Sequence, residues 1–176
     1  GVDITVNVND INDTAPVIGA AQSFGIAEDA GNTAVVGSVL ASDVDTVGAI
    51  TGFNITGGNT GAAFAIDAVG QITVNDTTAI DFETATSFSL AVTATDGTNT
   101  SAAETVTVNV TDANDTAPVV TAAQSFNVAV TAANTTVVGS VVATDVDTVG
   151  SITGYSITAG DGGELGIDNN GQITVI

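Results

Sequence analysis

The chain contains no lysine, arginine, histidine, cysteine, methionine or tryptophan. Each absence removes a class of chemistry. With no cation to neutralise phosphates, direct nucleic-acid binding is excluded, and docking onto anionic lipid is disfavoured for the same reason. No disulfide can form, and no thiolate or imidazole metal site exists. Histidine-dependent triads, lysine Schiff bases and cysteine nucleophiles are excluded as well. A two-carboxylate glycosidase passes this filter, but six phenylalanines and one tyrosine are too few to line a sugar-binding cleft. The sequence therefore reads as a non-enzyme. No apolar run approaches the roughly 18 residues that span a bilayer, so direct membrane insertion is not expected. The chain begins without methionine or a signal peptide, inside an alternating segment, and reads as an internal piece of a longer polypeptide.

What is present is a large excess of one charge sign. Twenty aspartates and glutamates give a net charge of −20 over 176 residues, yet 44% of residues are hydrophobic. Disordered acidic tails are poor in β-branched residues, whereas this chain is rich in valine, isoleucine and threonine and is able to bury a core. Its length allows one or two domains.

An internal repeat organises the chain. ITVNVNDINDTAPVI (Ile4 to Ile18) recurs as VTVNVTDANDTAPVV (Val106 to Val120), matching at eleven of fifteen positions with an offset of 102 residues. AQSF, VVGSV and DVDTVG recur at the same offset, and GQITV recurs one residue out of step. Within the repeat the pattern has period two. Phe88, Leu90, Val92 and Ala94 form one apolar set, and Val106, Val108 and Val110 another. Val35, Gly37, Val39 and Ala41 make a third, and Phe53 with Ile55 a fourth. Turn-rich clusters separate these runs at the spacing of an all-β sandwich. The predicted fold is a tandem of seven-stranded Greek-key β-sandwiches, with two packed antiparallel sheets in each. Residues 1–9 read as the last strand of a preceding repeat. Residues 10–111 read as a complete repeat with its leading linker, and 112–176 as a linker and an incomplete second repeat.

The acids cluster at strand ends and turns. Asp10, Asp13, Asp43 and Asp45 mark the first junction, and Asp112, Asp115, Asp145 and Asp147 the second. Glu28, the Asp81–Glu83 pair and Asp96 fall between them. An alternating D-x-D places two carboxylates on one side of an extended segment, at a reach suited to one ion. Calcium accepts six to eight oxygen ligands in irregular cages that magnesium tolerates poorly, so Ca²⁺ is the expected ion. The competing view is that these acids are solvated surface groups serving solubility. Electrostatics weighs against it: two carboxylates about 6 Å apart repel by about 0.7 kcal/mol even in bulk water, and no basic residue offsets that. Asn12 and Asn114 also sit in Asn-Asp-Thr glycosylation sequons, a weak signal in so threonine-rich a chain.

These residues resemble the cadherin family. DANDTAPV is similar to the cadherin inter-domain motif D-x-N-D-x-x-P, and AED at Ala27–Asp29 to the N-terminal glutamate motif. ASDVD resembles A-x-D-x-D, IDFE resembles L-D-R-E, and SFSLAVTATDG resembles Y-x-L-x-V-x-A-x-D-x-G. The resemblance covers nearly the whole chain. The threonine-, valine-, alanine-, asparagine- and glycine-rich wording is most similar to cadherin-like repeats of large bacterial surface adhesins.

The resemblance implies a calcium ligand set at the second junction: Glu28, Asp81, Glu83, Asp112, Asn114, Asp115, Asp145 and Asp147, with the carbonyls of Ala113 and Thr116. At the first junction it implies Asp10, Asn12, Asp13, Asp43, Asp45 and Asp96. The family binds three ions at such a junction, and seven carboxylates against three divalent ions come close to neutral. Phe82 stands where the family has a non-ligating arginine. Val130 and Thr131 replace the counterparts of Glu28 and Asp29, so the second repeat lacks the bridging glutamate. The adhesive tryptophan of some animal cadherins has no counterpart. The expected function is a calcium-stiffened stalk of an extracellular, bacterial adhesin or surface fibre. Its expected partners are adjacent repeats of the same polypeptide, neighbouring copies in a fibre, and a cell-surface protein or glycan. Two alternatives are a filament subunit assembling by β-strand complementation and a carbohydrate-binding accessory module of a secreted enzyme.

Overall fold

The structure is a computed structural model and describes residues 1–160 and 162–176. It forms two compact units, Gly1–Ala113 and Asn114–Ile176. In the first, the strands are β1 (Val17–Ile18), β2 (Gln22–Ala27), β3 (Val35–Ser38), β4 (Ala41–Ser42), β5 (Gly52–Gly57), β6 (Phe64–Ile66), β7 (Gln71–Val74), β8 (Ser87–Thr95) and β9 (Glu104–Thr111). They build a four-stranded sheet in the order β2-β9-β8-β5 and a three-stranded sheet in the order β3-β7-β6, with a short β1-β4 pair.

Alternation explains the long central strands. Every second residue of β8 and β9, from Phe88 to Ala94 and from Val106 to Val110, is buried. Their inward side chains meet Ile72, Val74 and Phe64 of the opposing sheet, with the Phe64 and Phe88 rings edge-to-face at 5.0 Å. A Greek-key β-sandwich is the result. One pairing departs from the expected antiparallel pattern: β2 runs parallel to β9, Gln22 opposite Val106 through Ala27 opposite Thr111. First and last long strands therefore run the same way, so the chain enters this unit at one pole and leaves at the other. The third predicted alternation also slips. Val35 is exposed while Val36 and Val39 are buried, because the β3–β7 register shifts between Val35 and Gly37. A bulge of this kind reverses which side chains face inward.

Gly37 has a packing reason. A Cβ there would lie 2.3 Å from the Phe24 ring, so only glycine lets that ring close over the strand. The turn before β2 is tied by a side-chain clasp. Gln22 Nε2 donates to the carbonyls of Gly19 and Leu40, and Leu40 N–H donates back to Gln22 Oε1 at 2.7 Å.

The second unit repeats part of this plan: β10 (Val119–Val120) pairs with β12 (Ala143–Thr144), and β11 (Val137–Ser140), β14 (Gln172–Val175) and β13 (Leu165–Ile167) form a three-stranded sheet. The glutamine clasp recurs at Gln124. Residues 124–130, the counterpart of β2 in sequence, form no strand, and Phe126, Val128 and Val130 are exposed. Residues 1–9 form no strand either, and Val2, Ile4, Val6 and Val8 are exposed. A backbone ladder needs a partner, whatever the local alternation.

Candidate metal centre

At the lower pole of the first unit, β2 ends at Ala27 and delivers Glu28 into the space between the 80–84 turn and the end of β9. Glu28 is 5% exposed. Its Oε1 accepts the Ala113 N–H and its Oε2 the Phe82 N–H, both at 2.6 Å. One carboxylate thus ties together three segments remote in sequence. Oxygens of Glu28, Glu83 and Asp112 lie within 4.8 Å of one another. Asp81 is outside that group. Its oxygens accept from the Thr84 hydroxyl at 2.8 Å and the Thr84 N–H at 3.2 Å, which closes the turn and holds its carboxyl below the usual aspartate value.

The upper pole of the same unit gathers Asp10, Asn12, Asp13, Asp43, Asp45 and Asp96. The linker and the D-V-D-T loop bind each other reciprocally. Asp45 Oδ2 accepts the N–H groups of Asp13 and Thr14 at 3.0 and 2.9 Å. In return, the hydroxyl and N–H of Thr46 donate to Asp10 Oδ2, which keeps the Asp10 carboxyl below its ordinary value. Asp96, 5% exposed, accepts from the N–H groups of Asn99 and Thr98 at 2.7 and 2.6 Å, and it too titrates low, chiefly because of Asn99. Thr46, Thr14 and Thr98 are not among the acidic motif positions in the sequence. The recurrence of N-D-T and D-V-D-T at both junctions was the available signal for the first two.

Asp43 behaves differently. Its Oδ1 accepts the Asp45 N–H at 3.1 Å, but its Oδ2 is buried and accepts no hydrogen bond from the described residues. The equivalent aspartate of the second unit, Asp145, holds Oδ1 in the same condition. A buried carboxylate oxygen without a donor is costly. The same lone pair twice over, among oxygen donors only, fits a hard cation such as calcium. In the second unit the Thr116 N–H donates to Asp147 Oδ2 at 3.1 Å, the Thr116 hydroxyl to Asp115 Oδ1 at 3.3 Å, and Asn114 lies against Gly150.

A two-sheet Greek-key repeat with carboxylates collected at its poles defines a class of extended, modular β-sandwich proteins. Within that class, the chain belongs to the cadherin family: the cadherin domain matches residues 22–111. It is 39% identical over 121 residues to human Protocadherin Fat 1, covering 66% of this chain. It is 34% identical over 132 residues to human Cadherin-related family member 2, covering 71% of it. The chain spans only 3% and 10% of those relatives' lengths. The crystal structure of mouse Protocadherin-24 EC1-3 is similar with a TM-score of 0.78 at 28% identity, covering 95% of this chain and 58% of that one. Mouse Cadherin-23 EC22-24 gives 0.69 at 25%, covering 94% and 55%. Cadherin domains are extracellular adhesion modules rather than enzymes. No helix among the described residues is long and apolar enough to cross a membrane.

Proposed function

We propose that this chain is a calcium-stiffened segment of an extracellular adhesive stalk. Calcium would be held by Glu28, Asp81, Glu83, Asp112, Asn114, Asp115, Asp145 and Asp147, with the Ala113 and Thr116 carbonyls, at the joint between residues 10–111 and 112–176. Asp10, Asn12, Asp13, Asp43, Asp45 and Asp96 would serve the preceding joint. The observation that carries this reading is the buried, donor-less oxygen of Asp43, repeated at Asp145. A chain without lysine or arginine has no side-chain cation for either. Asp81 enters the set only if its bonds to Thr84 yield to the ion.

The bacterial setting rests on composition, a threonine-, valine- and glycine-rich sequence with no basic residue; the curated relatives above are human. In this reading the immediate partners are adjacent repeats, with neighbouring copies in a fibre and a cell-surface protein or glycan beyond them. Isothermal titration with calcium chloride tests the proposal. Saturable binding with Kd of about 10⁻⁴ to 10⁻³ M, the range of extracellular calcium modules, is expected, weakened by Asp145→Asn. Absence of binding at millimolar calcium sinks it.

A further inference from the structure

The segment Ile80–Glu83 sorts its side chains by alternation. Ile80 is buried in the core, and Phe82 is half-buried and packed against the same cluster. Asp81 and Glu83 are exposed. The two apolar residues tie the segment to the sandwich, and the two acids between and after them stay at the pole. The turn is closed from its far side as well: the Thr84 and Ala85 N–H groups donate to the Asp81 carbonyl at 3.2 and 2.8 Å.

The backbone of this segment also holds a carboxylate that comes from far away in sequence. The Phe82 N–H donates to Glu28 Oε2 and the Ala113 N–H to Glu28 Oε1, both at 2.6 Å. Hydrogen bonds to an ionised acceptor are the strong ones, and a nearly buried carboxylate goes where such donors stand. A backbone donor, in turn, holds its acceptor only as firmly as the backbone itself is held. At residue 82 the hold available from the side chain is the packing of the phenyl ring.

We infer that Phe82 is a positioning residue for the lower pole: its ring, packed against the core, fixes the N–H that holds Glu28. Through Glu28 it sets the spacing of the Glu28, Glu83 and Asp112 oxygens, which lie within 4.8 Å of one another. The ring offers no ligand atom and acts only through its neighbours. Contacts that orient metal ligands matter to affinity nearly as much as the ligands do. The brace consists of the chain's own atoms and needs no ion; its effect on calcium rests on the calcium reading above.

Amide exchange and carboxyl-carbon spectra of the isotope-labelled 176-residue chain test the inference. In EDTA, Phe82→Ala should release the Ala113 N–H to exchange while the β8 and β9 amides stay protected. In a calcium titration of that variant, the midpoints read at the Glu28 and Glu83 carboxyl carbons should move to about tenfold to a hundredfold higher calcium. The midpoint read at Asp96, at the other pole, should stay parental. Phe82→Leu, which keeps an apolar anchor, should recover most of both effects, and Phe82→Val is the milder truncation to use if the alanine variant does not fold. A parental Ala113 exchange rate or a parental Glu28 midpoint in the truncated variant overturns the positioning role. An equal shift at Asp96 overturns it too, because the ring would then serve only general stability. If the Ala113 N–H is released in EDTA but no carboxyl carbon of the parental chain responds to calcium, the brace stands and the calcium reading falls.

Discussion

Asp43 and Asp145 occupy equivalent places in successive repeats, and each keeps one carboxylate oxygen from water and from any donor among the described residues. Replacing such an oxygen by an amide group should have opposite effects on the two states. Asp43→Asn should stabilise the calcium-free protein by about 1 kcal/mol, because an unpaired buried charge disappears, while weakening calcium binding. Urea unfolding in EDTA and in calcium reads both arms; a loss of stability in EDTA would contradict the argument. Acid should act through the same poles. The Asp10, Asp81 and Asp96 carboxyls titrate below the ordinary aspartate value of 3.8. A lowered folded-state pKa contributes stability that is fully present above about pH 4 to 5 and is lost as pH falls through the folded pKa. Thermal melts in EDTA should therefore be nearly flat on these groups' account from pH 7 to 5 and fall below 3.8. Asp10→Asn, which abolishes the lowered carboxyl held by Thr46, should make the acid fall shallower. The motif spacing picked out Glu28, Glu83 and Asp112, whose oxygens lie within 4.8 Å of one another, but also Asp81, which lies outside that group. It could not show the hydrogen bonds that Thr46, Thr14 and Thr98 make, because those depend on how loops distant in sequence close on each other.

The strands were legible to the extent that alternation alone controls them. β8 and β9 carry unbroken period-two patterns and bury the residues that pattern selects. β3 does not, because its bulge is a property of the pairing with β7. The parallel β2–β9 pairing was equally hidden, since alternation carries no strand direction. Residues 124–130 read like β2 in sequence yet form no strand, because local alternation does not by itself specify a pairing. Two substitutions test the contacts that fix these elements. Gln22→Leu should cost about 0.5–1.5 kcal/mol, since it removes exposed hydrogen bonds to the Gly19 and Leu40 carbonyls and the Leu40 N–H that water can replace; chemical denaturation measures it. Gly37→Ala drives a methyl into the Phe24 ring and should cost about 1–3 kcal/mol by overpacking. Phe24→Leu in the same chain should return part of that loss, and a purely additive double mutant would show that the ring is not the obstacle.

Across the whole chain, a charge of −20 produces self-repulsion that sodium chloride screens and calcium neutralises by binding. The two actions are separable. At about 1 M salt the screening length falls to about 3 Å, so repulsion is suppressed without any joint being formed. If calcium locks the linker between residues 10–111 and 112–176, small-angle scattering of the 176-residue chain should change its maximum dimension on adding calcium, and reverse with chelator. High sodium chloride alone should not reproduce the calcium profile. Asp115→Ala should abolish the calcium response with little effect on the stability of the first repeat. Asp76→Ala is the informative control. Asp76 caps the short 3₁₀ turn Thr77–Ala79 by accepting from Thr78, so its loss should lower stability slightly and leave the calcium response intact. Stability and stiffness would then move independently, as required if the carboxylates at the poles set the joint and the sandwich core sets the fold. A maximum dimension indifferent to calcium, in a chain shown by calorimetry to bind it, would mean that the ions brace each pole separately without stiffening the linker.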